Sequence, residues 1–177
     1  MRFKTILPVA IICFFAIACK SKTAIDYNDM IAKKQTDLGE GMDKSEPDLK
    51  NYFASYQYDS IANVSSRMEA KIDSIIKDIK TRPAPKVKEG ENFKKAALQY
   101  FDYMKSIYTS YKNYGLQVTP EGRQIQQQIM SMVVSKEDKA IADMQEAQRI
   151  FAKDNGFKIK SEKRSQKNSL TASSPNQ

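Results

Sequence analysis

Apolar residues recur along most of this chain in alternating steps of three and four, the spacing of one face of an α-helix. The most regular run is Phe93, Ala97, Tyr100, Met104, Ile107, Tyr111 and Tyr114. It predicts a helix over about Glu91 to Tyr114, ended by Gly115 as a glycine cap with Leu116 as its hydrophobic contact. A second stripe, Ile61, Val64, Met68, Ile72, Ile75 and Ile79, predicts a long helix from about Glu46 to Thr81. Ser45 is its expected N-cap, and Pro47 falls in the first turn, where a missing N–H costs little. Arg82-Pro83-Ala84-Pro85-Lys86 stops it. Upstream, Tyr27, Met30, Ile31, Leu38 and Met42 mark a helix over about Ala24 to Lys44.

Downstream, Thr119-Pro120-Glu121 supplies an N-cap, a first-turn proline and a dipole-favourable acid. The fourth helix then carries Ile125, Ile129, Met132, Ala140, Met144, Ala147 and Phe151 as its stripe. Lys136 interrupts that stripe and is expected to snorkel; Gly156 and Phe157 close it. No strand-like alternation of useful length is present. The expected fold is all-α, an antiparallel up-down-up-down four-helix bundle over residues 24–157. Folding the second helix onto the third about residue 86 sets Ile79 opposite Phe93, Ile75 opposite Ala97, Ile72 opposite Tyr100 and Met68 opposite Met104. Two independently read stripes thus share one register.

The N-terminus departs from this pattern. Arg2 and Lys4 precede an uncharged apolar run from Ile6 to Ala18. About 13 apolar residues are too few to cross ~30 Å of hydrocarbon, and a basic head before a short apolar run describes a secretory signal peptide over 1–18. Ala16-Ile17-Ala18-Cys19 resembles the bacterial lipobox, with Ala16 where leucine is usual. The resemblance implies cleavage between Ala18 and Cys19 and acylation of Cys19, followed by a short lipidated tether over 19–23. It also implies a bacterial cell envelope location, membrane lipid-anchored. Cys13 leaves with the leader, so the mature chain has no disulfide.

Composition then narrows the chemistry. The 177-residue chain has no histidine and a net charge of +8, which excludes Ser-His-Asp and Cys-His nucleophile systems and His-ligated zinc. The charge is concentrated at the ends. Arg2 and Lys4 belong to the leader, and residues 158–177 carry Lys158, Lys160, Lys163, Arg164 and Lys167 against Glu162. The body between keeps a net charge of only about +2. The tail is polar and lacks aromatics, so it is expected to be disordered. Nucleic-acid binding is not expected, since no basic face with stacking residues is visible. A membrane surface is the expected partner of the tail, beside a lipid anchor at Cys19.

Nine tyrosines are present. Tyr52, Tyr56 and Tyr58 lie at one end of the second helix and Tyr108, Tyr111 and Tyr114 at the matching end of the third, so the hairpin should gather them. They are either a ligand-binding aromatic cluster or a half-buried bundle end. The carboxylates Asp73, Asp78, Glu137, Asp138, Asp143 and Glu146 alternate with lysines off the apolar stripes and read as a solvated face. Gln124, Gln126, Gln127 and Gln128 read as helical surface. No metal site, cofactor or catalytic residue is expected.

Phe93-Lys94-Lys95-Ala96-Ala97-Leu98-Gln99-Tyr100-Phe101 and Phe151-Ala152-Lys153-Asp154-Asn155-Gly156-Phe157 together resemble an uncharacterised family of small helical bacterial surface lipoproteins, over about residues 90–157. The resemblance implies an envelope location and a helical fold, and supplies no activity. The expected function is a non-enzymatic, lipid-anchored envelope module acting through protein or surface contacts. The alternative is a small-ligand-binding lipoprotein using the tyrosine-rich end.

Overall fold

The computed structural model describes residues 10–159, with side chains described from Ser21 onward. The helices are α1 (Ala10–Ala54), α2 (Tyr58–Thr81), α3 (Gly90–Gly115), α4 (Pro120–Val134) and α5 (Glu137–Asp154). Among the described residues there is no strand. α2 and α3 form a central hairpin, α1 packs along α2, and α4 and α5 lie successively along α3, with α5 also reaching α1. Since α4 and α5 are two halves of one interrupted rod, the fold is an all-α, up-down-up-down four-helix bundle.

The core follows the stripes closely in α2 and α3. Ile61, Val64, Met68, Ile72, Ile75 and Ile79 are all buried. They meet Phe93, Ala97, Tyr100, Met104, Ile107 and Tyr111, joined by Phe101 and Tyr108 from the neighbouring row. α1 adds Ala24, Tyr27, Ile31, Leu38 and Leu49, and α5 adds Met144 and Phe151. Each fully buried aliphatic or phenylalanine side chain contributes about 1.5–3 kcal/mol of transfer free energy. The hairpin register is close to the expected one: the Lys94 ammonium donates to the carbonyls of Lys80 and Arg82, and Lys105 pairs with Asp73 at 2.7 Å.

The boundary between the first two helices is not where the sequence placed it. α1 continues through Ser45 and Pro47 to Ala54. Pro47 sits on the exposed face, where it forfeits one backbone bond and buries nothing. Packing carries the helix past it, because Leu49, Tyr52 and Phe53 extend the same core-facing stripe. The true stop is Tyr56, held at φ 56°. Its N–H donates to the Phe53 carbonyl and that of Gln57 to the Tyr52 carbonyl at 2.9 Å, a Schellman turn built without glycine. At the other end α1 already begins at Ala10, so residues 19–23, expected as a tether, are helical and continuous with the bundle.

Two further expectations change. Gly115 is the last residue of α3 and has no positive φ; Leu116 beyond it is 60% exposed and caps nothing apolar. The glycine serves packing instead. A Cβ there would lie 2.5 Å from the Tyr58 carbonyl oxygen and 2.7 Å from the Ala62 nitrogen. Gly156, by contrast, is the left-handed cap the sequence predicted, at φ 70°, with Phe157 turned back onto Phe151.

Lys136 does not snorkel along an unbroken helix. It is the N-cap of α5, and Ser135 hydrogen-bonds back to the Met132 carbonyl. Such a side-chain bond competes with the helical ladder. The break lets α4 and α5 choose their inward faces independently.

Candidate functional site

Closure of the α2–α3 hairpin brings Tyr58 to the same pole as Tyr108, Tyr111 and Tyr114; Tyr52 and Tyr56, expected on the second helix, come instead from the end of α1 and the turn after it. Tyr108 and Tyr111 are buried, with ring centroids 6.0 Å apart. Phe53, which the sequence reading did not single out, bridges Tyr111 at 5.5 Å to Tyr114 at 5.4 Å. Tyr114 meets Tyr58 at 5.8 Å, and Tyr58 meets Tyr56 at 6.4 Å. The guanidinium of Arg123 stands 4.1 Å over the Tyr58 ring. Tyr52 is half-buried against the core. Thus the rings are largely one another's partners, and only Tyr56, 63% exposed, stands out in solvent.

Burial raises the two innermost phenols of this pole, Tyr108 and Tyr111. Desolvation pushes Tyr111 up to about 12, helped by the nearby Glu137 and Glu46 carboxylates. Burial raises Tyr108 further, with Ser45 beside its hydroxyl opposing part of the rise. Neither phenol can serve as a base near neutral pH.

The exposed apolar surface lies next to this pole, on α4. None of the fifteen residues of α4 is fully buried. The expected core stripe Ile125, Ile129, Met132 is corrected by the structure. Ile125 is 57% and Met132 58% exposed, while Met130 and Val133, one position further round the helix, pack against the core. In the preceding turn Val118 is 88% exposed. α4 is nonetheless well started: Thr119 accepts a hydrogen bond from the Gly122 N–H at 3.0 Å, with Pro120 in the first turn.

A cleft of about 270 Å³ lies between α3 and the start of α5, lined by Ala96, Gln99, Tyr100, Tyr103, Lys136, Lys139, Ala140 and Asp143. The Tyr103 hydroxyl on its wall is shielded from solvent and has no hydrogen-bond partner. Lys139 pairs with Asp143 at 2.6 Å across the rim.

The carboxylates read as solvated surface are mostly held by cations. Asp78 pairs with Lys34, Asp73 with Lys105, and Glu146 with Arg149. Glu137 differs, because burial and then the adjacent Asp138 raise its carboxyl above the usual range. Among the described residues no group of three metal-ligating side chains could hold an ion.

At the opposite pole, Tyr27 of α1, Phe93 at the start of α3 and Phe151 near the end of α5 form one aromatic cluster. Tyr27 meets Phe93 at 6.2 Å, and Phe93 meets Phe151 at 4.6 Å. Gln148 of α5 donates to the Asn28 side-chain oxygen of α1 at 2.8 Å. The residue expected to be acylated, Cys19, and the cleavage-site Ala18 lie in the helical backbone leading into this pole. Of the expected membrane-surface cations, Lys158 is exposed here, while Lys160, Lys163, Arg164 and Lys167 lie outside the described residues. Among the described residues no helix is long and apolar enough to cross a membrane.

A scan against protein-family models finds no match for this chain, and searches of curated proteins and of solved structures find none either.

Proposed function

We propose that the protein is a lipid-anchored helical module of the bacterial cell envelope that acts through surface contacts, with Cys19 as the attachment point. The observation that carries this reading is the shared pole: the part of α1 that enters the bundle and the end of α5 meet through Tyr27, Phe93 and Phe151. A lipid on Cys19 stands five residues before Ala24, about 7.5 Å along a helix. The basic segment that follows Lys158 then leaves from the same pole, where lysine and arginine each contribute ~1 kcal/mol on anionic lipid. Exposed apolar residues of α4 and of the turn before it are carried toward the other pole.

The test is fractionation of the full chain and a Cys19→Ala variant expressed in a bacterial host. Wild type should partition with membranes and the variant should be released. Retention of the variant in membranes after a high-salt wash overturns anchoring through Cys19.

A second reading, a small-ligand carrier, is favoured by one observation: the unpartnered Tyr103 hydroxyl on the α3–α5 cleft. A ligand acceptor atom there would satisfy it. Native mass spectrometry of the protein from its own host distinguishes the two, since a bare polypeptide mass counts against the carrier.

A further inference from the structure

We propose that the exposed face of α4 is a contact for a second copy of this chain, two α4 helices packing antiparallel across a two-fold axis. It names a partner for the surface-contact reading above and does not depend on lipid attachment.

Three observations carry it. The first is spacing. Val118, Gly122, Ile125, Ile129 and Met132 alternate steps of four and three, the seam of a two-stranded helical contact. In the bundle Val118, Ile125 and Met132 of this row are more than half exposed and Ile129 between them is partly buried, while Met130 and Val133 pack against the core. The three exposed side chains are therefore unused by their own fold.

The second is charge. Residues 124–135 contain no charged side chain, the longest such run after the leader, in a chain that is 28% charged. The net charge of +8 makes two copies repel in most orientations. This face brings no like charges together. Gln124, Gln127 and Gln128 flank the seam, and an amide side chain both donates and accepts, so the same amides on a second copy complement them.

The third is symmetry. An antiparallel pair centred between Gln128 and Ile129 sets Ile125 of one copy against Met132 of the other, and the reverse contact follows from the two-fold. Met132 is an adaptable thioether, able to fit around a branched neighbour. The helix is about 22 Å long, and its single face falls short of the ~800 Å² per partner of a standard stable interface. Pairing should accordingly be weak in solution.

Disulfide cross-linking of the full chain, with Cys13→Ser and Cys19→Ser as background, tests the geometry without requiring acylation. A Gln128→Cys variant, close to the axis, should form a covalent dimer under mild oxidation, while a Lys95→Cys variant on the surface of α3 should not. An equal mixture of Ile125→Cys and Met132→Cys chains should cross-link. Either variant alone should not, because its two copies stand roughly 10 Å apart along the helices, beyond disulfide reach. Adding Ile125→Lys to the Gln128→Cys chain should cut the dimer yield about tenfold, since two uncompensated cations then enter the seam. Circular dichroism should be unchanged, as Ile125 is exposed in the fold. The proposal is overturned if Gln128→Cys cross-links no better than Lys95→Cys, or if Ile125→Lys leaves the yield intact. Because Cys19 is absent throughout, failure here says nothing about lipid attachment, and failure of the fractionation test leaves this geometry standing.

Discussion

The rings of Phe93 and Phe151 lie face to face, 4.6 Å between centroids and 16° from parallel, and both are fully buried. One opens α3 and the other closes α5, so this stack joins the ends of two helices far apart in sequence. Phe151→Ala should cost about 3–5 kcal/mol, the usual loss for a buried phenylalanine. Urea unfolding followed at 222 nm checks this. A Phe151→Leu variant should lose clearly less, because most of the volume is kept.

Gly115→Ala should destabilise the protein, although alanine is the better helix former by about 1 kcal/mol. The added methyl meets backbone atoms of Tyr58 and Ala62 at under 3 Å, and backbone cannot rotate aside. The expected net loss is roughly 1–3 kcal/mol, the range of overpacked sites. Gly122→Ala is the useful contrast. Its nearest neighbours are the Gln117 and Thr119 side chains, so its midpoint in urea should move less.

Glu69 and Glu137 should respond to acid in opposite directions. The Glu69 carboxylate is only 15% exposed, and burial alone would raise its pKa. Hydrogen bonds from Lys112 and Thr109 outweigh that and hold it below the ordinary value. Its contribution is therefore present above the unfolded value of about 4.3 and lost as pH falls through the lower folded value. Glu69→Gln should be less stable than wild type at neutral pH, with the gap closing in acid. For Glu137, whose carboxyl is raised by burial and then by Asp138, the charged form is disfavoured on folding. Glu137→Gln should be more stable than wild type at neutral pH, and that gain should vanish once both states are protonated. Urea midpoints between pH 7 and pH 3 read both effects.

Thr119→Ala removes the acceptor for the Gly122 N–H. The usual cost of such a cap is about 1 kcal/mol. No residue of α4 is buried, and helices with little buried surface open locally before the whole fold does. The loss should appear as faster amide hydrogen exchange across residues 123–134, with α2 and α3 unchanged. Uniform acceleration over all helices would contradict this picture of a loosely held α4.

The helices were readable where a single apolar stripe decided the matter. Ile61 to Ile79 and Phe93 to Tyr111 admit one inward face each, and those faces are buried. Pro47 misled because a start signal and a tolerated mid-helix proline look alike in sequence; the packing of Leu49 and Phe53, many residues away in their contacts, settles it. Tyr56 gave no warning, since a left-handed turn is usually marked by glycine or asparagine. In α4 two adjacent apolar rows compete, Ile125-Ile129-Met132 and Met130-Val133, and periodicity alone has no means to rank them. The break at Ser135 and Lys136 is what frees the second row to win. The gathering of Tyr58 with Tyr108, Tyr111 and Tyr114 was legible from hairpin closure, while the parts played by Phe53 and Arg123 were not, because each comes from a different helix whose phase the sequence left open.

The 26 residues of α3 also give the molecule a fixed stand-off. At 1.5 Å per residue the helix measures about 39 Å from Phe93's end to the turn at Val118. Whatever docks at that turn is held at that distance from the pole where α1 enters, on a rod packed along most of its length. Lengthening or shortening α2 and α3 by matched heptads would move the contact outward or inward by about 10 Å a step. The bundle can therefore be treated as a ruler whose graduations are helical turns.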